Sequence, residues 1–383
     1  MKIRSWFIFI VYIASADLIF AQHPIGIDWK ICGNLPKTPS NKEHPGLAGA
    51  FSGVIGNTLV IAGGANFADK MPWEGGIKKY YQDIYLMTLT SNNTCDWVNI
   101  QNKFPTQIAY GSSVTYGNKL ICIGGENENG ITDKIWQLSL PAGKHTLSIK
   151  HIADLPNPLT NLSATLLDHT IYIAGGESAQ GVSNSFFCLN LHQIKKGVIK
   201  LTDIPVEVSH SLLLPAISKS GDHLFLMGGR KKNKTGISTL YDSVFSYSIK
   251  ENKWMTKTNL PYALSALTGI QISPTQYLIT SGDRGETFSL TEACNAAIQE
   301  ERDPVKKQKL IERKNALQIN HPGFSNEILL YEVVTNTWSI IGYLPYKPPV
   351  TTTALWWNHS IILPSGEIKA GVRTPDILMG QLK

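Results

Sequence analysis

Near the C-terminus, Gly366-Glu367-Ile368-Lys369-Ala370-Gly371-Val372-Arg373-Thr374 sets a carboxylate and a guanidinium six residues apart across a glycine. A carboxylate placed this way can take a proton from a hydroxyl, and general acid–base help of that kind is typically worth ~10²–10⁴ in rate. A guanidinium offers a planar fork that grips a carboxylate bidentately or steadies a developing oxyanion, which the ammonium of lysine cannot match. Gly371 permits a turn between them, so both side chains can reach one ligand. On an open surface the same two residues would form an ion pair worth ~0–1 kcal/mol, with no chemistry attached. The scaffold that carries the segment decides between these roles.

That scaffold is repetitive. Apolar runs end in a glycine pair at Leu59-Val60-Ile61-Ala62-Gly63-Gly64, Leu120-Ile121-Cys122-Ile123-Gly124-Gly125, Ile171-Tyr172-Ile173-Ala174-Gly175-Gly176 and Leu224-Phe225-Leu226-Met227-Gly228-Gly229. Two degenerate copies follow, ending Thr280-Ser281-Gly282 and Pro364-Ser365-Gly366. The second glycines fall at 64, 125, 176, 229, 282 and 366, giving intervals of 61, 51, 53, 53 and 84. A period of about 50 residues is that of propeller blades, and the long last interval signals an insertion. Six blades follow.

Each unit reads as four short strands: an alternating run, the apolar run into the glycine pair, an aromatic-rich run such as Asp83-Ile84-Tyr85-Leu86, and a run carrying Trp97, Trp254 or Trp338. Glycines suit a strand end that turns tightly, and the tryptophans pack between neighbouring sheets. This pattern resembles the kelch repeat, so the expected fold is all-β, a six-bladed kelch-type β-propeller. Asp28-Trp29-Lys30-Ile31 with Leu35-Pro36 looks like a fourth strand with no first three before it. It completes the last blade, whose third strand is expected at Thr374–Leu378, and so removes two open sheet edges. The insertion holds helical text, Glu292–Arg302 and then Asp303-Pro304 to Leu317, with Asp303 as cap and Pro304 in the first turn. Lying at about 286–318, between the second and third strands of the fifth blade, it would emerge over the mouth of the central channel, as a cover or as packing.

Residues following the glycine pairs are expected to ring that mouth: Asn66, Glu126, Glu177, Arg230, Asp283 with Arg284, and Glu367. Such carboxylates can serve acid–base chemistry or brace neighbouring loops. The basic run Arg230-Lys231-Lys232-Asn233-Lys234 reads as a solvated loop or as a draw for a small anionic ligand. A net charge of +6 without interleaved aromatics does not make a nucleic-acid surface. Met1-Lys2-Ile3-Arg4, the apolar Trp6–Ile13 stretch and the small residues after it read as a signal peptide over 1–21, cleaved after Ala21. Residues 22–383 would then form a single propeller in the periplasm or otherwise exported, with no later apolar run long enough to span a membrane. Five cysteines show no metal or redox spacing, and the odd count leaves at least one unpaired within the chain; they read as buried hydrophobes.

A more specific resemblance rests on Leu47-Ala48-Gly49-Ala50-Phe51, Ala62-Gly63-Gly64-Ala65-Asn66-Phe67, Trp73-Glu74-Gly75 with Lys78-Lys79, and Ala109-Tyr110-Gly111 with Ile123-Gly124-Gly125-Glu126. With the terminal Glu367/Arg373 segment, these are similar to the N-acetylneuraminate epimerase family, the sialic acid mutarotases. Ala370 stands where that family usually has proline. The better-known members place the Glu/Arg segment ahead of the Leu47–Gly125 block, so this chain resembles a cyclically permuted branch, an arrangement a closed ring tolerates. The resemblance implies Glu367 and Arg373 as catalytic residues, Asn66, Tyr110 and Glu126 as substrate contacts, N-acetylneuraminate as substrate and no cofactor. Trp73 and Lys78-Lys79 read as loop packing and solvated charge.

Rival readings lack their signatures. A sialidase needs Ser-x-Asp-x-Gly-x-Thr-Trp turns, and a kelch-type copper oxidase needs a Tyr/His ligand set that the ten histidines do not spell out. An exported, non-catalytic kelch propeller binding a sugar or a protein stays open, because folds of this type host many functions.

Overall fold

A computed structural model of the chain describes residues 25–89, 95–98, 103–141, 146–216 and 222–383. The expected leader lies outside the described residues. Six four-stranded antiparallel sheets stand around one axis. Their innermost strands are Phe51–Ile55, Ser112–Tyr116, Ser163–Leu167, Leu212–Ala216, Ser265–Ser273 and Leu355–Trp357.

The second strand of a blade reads as a continuous apolar run because a propeller covers both of its faces. Leu59, Val60, Ile61 and Ala62 are all fully buried. Side chains alternate across a strand, so Leu59 and Ile61 pack toward the sixth blade with Trp357, Ile362 and Ile377, while Val60 and Ala62 pack toward the second with Leu120 and Cys122. Every blade junction has its own apolar cluster of this kind. The tryptophans of the fourth strands add a polar tie: the indole N–H of Trp97, Trp254 and Trp338 donates to the carbonyl of Asn34, Thr202 and Thr258, each on the preceding blade.

The glycine pairs do more than turn. In the first four blades the second glycine donates its N–H across the junction, from Gly64, Gly125, Gly176 and Gly229 to the carbonyls of Ile108, Leu159, Val208 and Leu264. A Cβ on the first glycine would lie 2.4, 2.4, 2.1 and 2.5 Å from those same carbonyl oxygens. Close approach by the next blade therefore demands glycine. In the sixth blade Ser365 takes the first place at φ 61°, and its Oγ accepts from Leu47 N at 2.9 Å, bridging back to blade one.

The sixth blade is closed as expected. Ile27–Asn34 pairs antiparallel with Val372–Leu382, tying the two ends of the described chain into one sheet. The third strand is longer than Thr374–Leu378, because its pairing with Ser360–Lys369 runs past the blade edge into a projecting hairpin. The insertion forms α1 (Glu286–Glu300) and α2 (Pro304–Ile319), and Asp303 caps α2 by accepting from Val305 N and Lys306 N. Helix α1 starts six residues before the sequence reading placed it, with left-handed Gly285 as its N-cap.

All five cysteines are free thiols; Cys122 and Cys294 are buried and the other three half-buried. Tyrosine and histidine do cluster, on the face remote from the glycine pairs, where Tyr116 Oη lies 3.0 Å from both His169 Nδ1 and His192 Nε2. Among the described residues no helix is long and apolar enough to cross a membrane.

Candidate active site

Glu367 and Arg373 face each other directly across the projecting hairpin. One carboxylate oxygen of Glu367 accepts from Gly371 N at 2.7 Å, and the other lies 3.6 Å from Arg373 Nη2. Gly371 is left-handed, and a Cβ there would stand 2.8 Å from Pro72 Cγ, so the turn needs glycine both for its φ and for the blade-one loop beside it. The Arg373 side chain is only 4 % exposed. Its Nη2 donates to Tyr110 Oη at 3.3 Å and the Phe67 ring lies 4.9 Å from Cζ, but Nε and Nη1 have no partner among the described residues. Burial works against the cation, yet Glu367 and Tyr110 outweigh it and hold the guanidinium pKa above its ordinary value. Leaving buried charged donors unpaired costs roughly 1–3 kcal/mol each, which is the pattern of a functional rather than a stabilising group.

This pair forms one wall of a cavity of about 390 Å³ at the mouth of the ring. Tyr110 and Glu126 line it as expected from their positions. Glu126 accepts from Tyr80 Oη at 2.7 Å and lies 3.5 Å from Lys78 Nζ, and that ammonium sits 4.5 Å from the Tyr110 ring centroid. Lys78 thus belongs to the cavity wall rather than to solvated charge. Its neighbour Lys79 does point outward, to Asp69 at 2.5 Å.

Asn66 is not in that wall. It is buried, donates to the Gly46 carbonyl at 2.8 Å and accepts from Tyr81 Oη at 2.8 Å. The position equivalent to Glu126 is Ala65: Ala65, Glu126, Glu177, Arg230 and Glu367 bridge to Ala48, Ala109, Thr160, Ser209 and Val350, each three to five residues ahead of its inner strand. A slip of one residue turns a strand side chain to the opposite face, which places Asn66 inside the protein. Arg284 also turns away from the cavity, to Glu327 at 2.5 Å, whereas Asp283 lines it with its carboxyl pKa raised by burial.

A further feature of the mouth is absent from any short motif. One residue at the entry of each inner strand is left-handed: Gly49, Tyr110, Asn161 and His210 two residues ahead of it, Ala266 at its second position, and Thr351 four ahead. Their amides form a belt, each of the first five donating to the carbonyl of its counterpart one blade back at 2.7–3.0 Å. Left-handed backbone turns these residues toward the axis, bringing Tyr110, Asn161 and His210 to the cavity. Aligning the repeats on the glycine pairs would have found them, since they recur with the blade period. Below the belt a narrower cavity of about 140 Å³ continues between the inner strands, lined largely by Ser, Thr, Ala, Gly and Leu.

The roof comes from the insertion. Phe288, Thr291 and Gln318 of the two helices, with His321 and Phe324 just after them, complete the lining. Asn315 Nδ2 donates to the Trp73 carbonyl and Lys369 Nζ to that of Ile319, so a segment of blade five touches blades one and six. The insertion covers the mouth, and Trp73 anchors it.

A roofed cavity, a carboxylate paired with a buried guanidinium, and a ring of hydroxyl and carboxylate groups suit proton transfer on a small acidic ligand. The sequence profile of the N-acetylneuraminate epimerases matches residues 17–146 and 152–383, nearly the whole chain. The chain belongs to the N-acetylneuraminate epimerase family. Among relatives bearing that name, the protein of Brucella melitensis biotype 1 is 23 % identical over 241 residues, 62 % of this chain and 60 % of the relative. That of Salmonella typhimurium strain LT2 is 27 % identical over 231 residues, 58 % and 56 % of the two chains. The chain thus spans less than two thirds of the length of these epimerases.

Proposed function

We propose that this protein is a sialic acid mutarotase that interconverts the α and β anomers of N-acetylneuraminate. The observation that carries the reading is the Glu367/Arg373 pair, a half-buried carboxylate beside a buried guanidinium at the wall of the cavity in the mouth of the ring. Family membership supplies the substrate class.

Mutarotation opens a cyclic hemiketal to the keto form, lets the carbonyl rotate and closes it from the other face. Glu367 accepts the proton of the anomeric hydroxyl as the C–O bond to the ring oxygen breaks. The anomeric and ring oxygens share one carbon, so the protonated carboxyl can hand its proton to the departing ring oxygen and balance the step. Closure reverses the transfer. Arg373, beside Glu367 and tethered to Tyr110, stabilises the negative charge passing between carboxylate and anomeric oxygen. Lys78 and Glu126 flank the same space, and the two helices roof it.

We read the apolar stretch within residues 1–21 as an export leader and propose a site of action outside the cytoplasm; fractionation of cells expressing the full chain tests this, and retention of the protein in the cytoplasm would overturn it. One-dimensional proton NMR on freshly released α-anomer tests the activity. Exchange faster than buffer is expected; exchange at the buffer rate with retained sugar binding would make the protein a sugar-binding propeller instead.

A further inference from the structure

Of the six register-equivalent positions around the mouth, Ala65, Glu126, Glu177, Arg230, Asp283 and Glu367, the cationic one is Arg230. It lines the cavity, on the fourth blade. It is held from behind. Arg230 Nη2 lies 3.1 Å from His210 Nε2, and a guanidinium can only donate, so Nε2 is the bare nitrogen and the imidazole proton sits on Nδ1. There it faces Glu177 Oε1 at 3.4 Å and Ser209 Oγ at 3.0 Å, while Ser209 Oγ donates to the same carboxylate at 2.7 Å. Burial and the charge of Arg230 hold the His210 pKa below its ordinary value against the pull of Glu177, in keeping with the bare Nε2 that the Arg230 contact requires. Phe288 of α1 covers one face of the guanidinium, its centroid 4.4 Å from Cζ.

This chain orients Arg230 without cancelling its charge, because a neutral imidazole stands between it and Glu177. Among the described residues no carboxylate forms an ion pair with Arg230, whereas the other two cations of the wall have theirs: Lys78 with Glu126 and Arg373 with Glu367. Arg373 is also the poorer fork, since its free Nε and Nη1 are sealed from the cavity. Arg230 lies close enough to Glu367 for the two charges to interact across the cavity. A carboxylate attached to the anomeric carbon sits one bond from the atom whose hydroxyl Glu367 addresses.

We propose that Arg230, positioned by neutral His210 and Glu177, anchors the carboxylate of the substrate, so that the site selects sugars bearing an acid on the anomeric carbon over neutral sugars. The assignment rests on the mutarotase reading and leaves Arg373 to act with Glu367 on the anomeric oxygen.

Anomer exchange by NMR and binding by calorimetry, each on N-acetylneuraminate and on its C1 methyl ester, test it with wild type, Arg230→Met and Arg230→Lys. Wild type is expected to favour the acid over the ester. Arg230→Met should lose roughly 10- to 100-fold on the acid, the range for one charge-assisted contact, with the ester nearly unchanged. Arg230→Lys should recover only part of the loss, lacking the fork. Equal losses on acid and ester would make Arg230 a brace of the wall and overturn the proposal, as would an unchanged acid-to-ester ratio. If wild type exchanges neither sugar above buffer, the mutarotase reading fails, and the binding ratio alone decides whether Arg230 holds a carboxylate. A melting curve for each variant separates misfolding from lost recognition.

Discussion

At the scale of single residues, Glu367 and Arg373 carry the proposed chemistry and Glu177 carries a pH dependence. Glu367→Gln keeps the shape and the hydrogen bond from Gly371 but cannot accept a proton, so exchange should slow by ~10²–10⁴ at an unchanged melting temperature. Loss of folding instead of rate would assign Glu367 to structure. Burial alone would raise the Glu177 pKa, but His210, Ser209 and Arg230 together bring it down to about 2. A carboxyl whose folded pKa is depressed stabilises the protein above its unfolded value of about 4.5, and that share is lost as pH falls from there toward about 2. The share is on the order of 3 kcal/mol. Thermal melts from pH 6 to pH 2.5 should therefore fall more steeply for wild type than for Glu177→Gln, and parallel curves would contradict the bonded network.

At the scale of elements, the glycine pairs act as junctions between blades, and the two kinds of left-handed glycine should respond differently to alanine. Gly175→Ala forces a Cβ to 2.1 Å from the Val208 carbonyl oxygen, whereas Gly117, also left-handed, has nothing within 4 Å. Gly117→Ala should cost only the ~1 kcal/mol of left-handed backbone strain. Gly175→Ala should cost several kcal/mol, because blades three and four must separate to admit the methyl. Equal melting temperatures for the two variants would remove the junction role. Helix α2 offers a milder case: Asp303→Ala deletes a cap that two backbone amides use and should cost ~1 kcal/mol, read by hydrogen exchange in the first turn of α2 without change in the blades.

For the whole molecule, the closing strand is the point at which the ring depends on distant chain segments. Removing Ile27–Asn34 would leave the eleven-residue strand Val372–Leu382 as an open edge, next to the hairpin that carries Glu367 and Arg373. Open edges pair with other chains, so the truncated protein should associate in size-exclusion chromatography and lose activity. A peptide of residues 25–34 added in trans should restore both by adding the missing strand. A truncated protein that stays monomeric and active would show that the closure is dispensable.

Much of the architecture was legible in the residues because its causes are local and repeated. Four apolar runs into glycine pairs and two degenerate copies ending Ser-Gly marked the six second strands, since a strand covered on both faces is apolar throughout and the four glycine junctions tolerate no Cβ. Trp97, Trp254 and Trp338 marked fourth strands, Asp303-Pro304 marked the start of α2, and the unpaired Asp28–Ile31 strand pointed to closure at the other end of the chain. Glu367 and Arg373 were legible as a pair because a hairpin puts them opposite each other. Who shares the cavity with them was not. Tyr110 reaches Arg373 across 263 positions of sequence, Lys78 joins Glu126 from the neighbouring blade, and His210 turns inward on left-handed backbone that no local composition announces. Asn66 and Ala65 differ by one step of strand alternation, and only the pairing of Ala65 with Ala48 decided which of them faces the axis. By itself the sequence determined the number of blades, their order and the pairing of Glu367 with Arg373, because these follow from short-range patterns. The tertiary structure alone decided the cavity's membership, because that depends on which faces six separate sheets turn toward one axis.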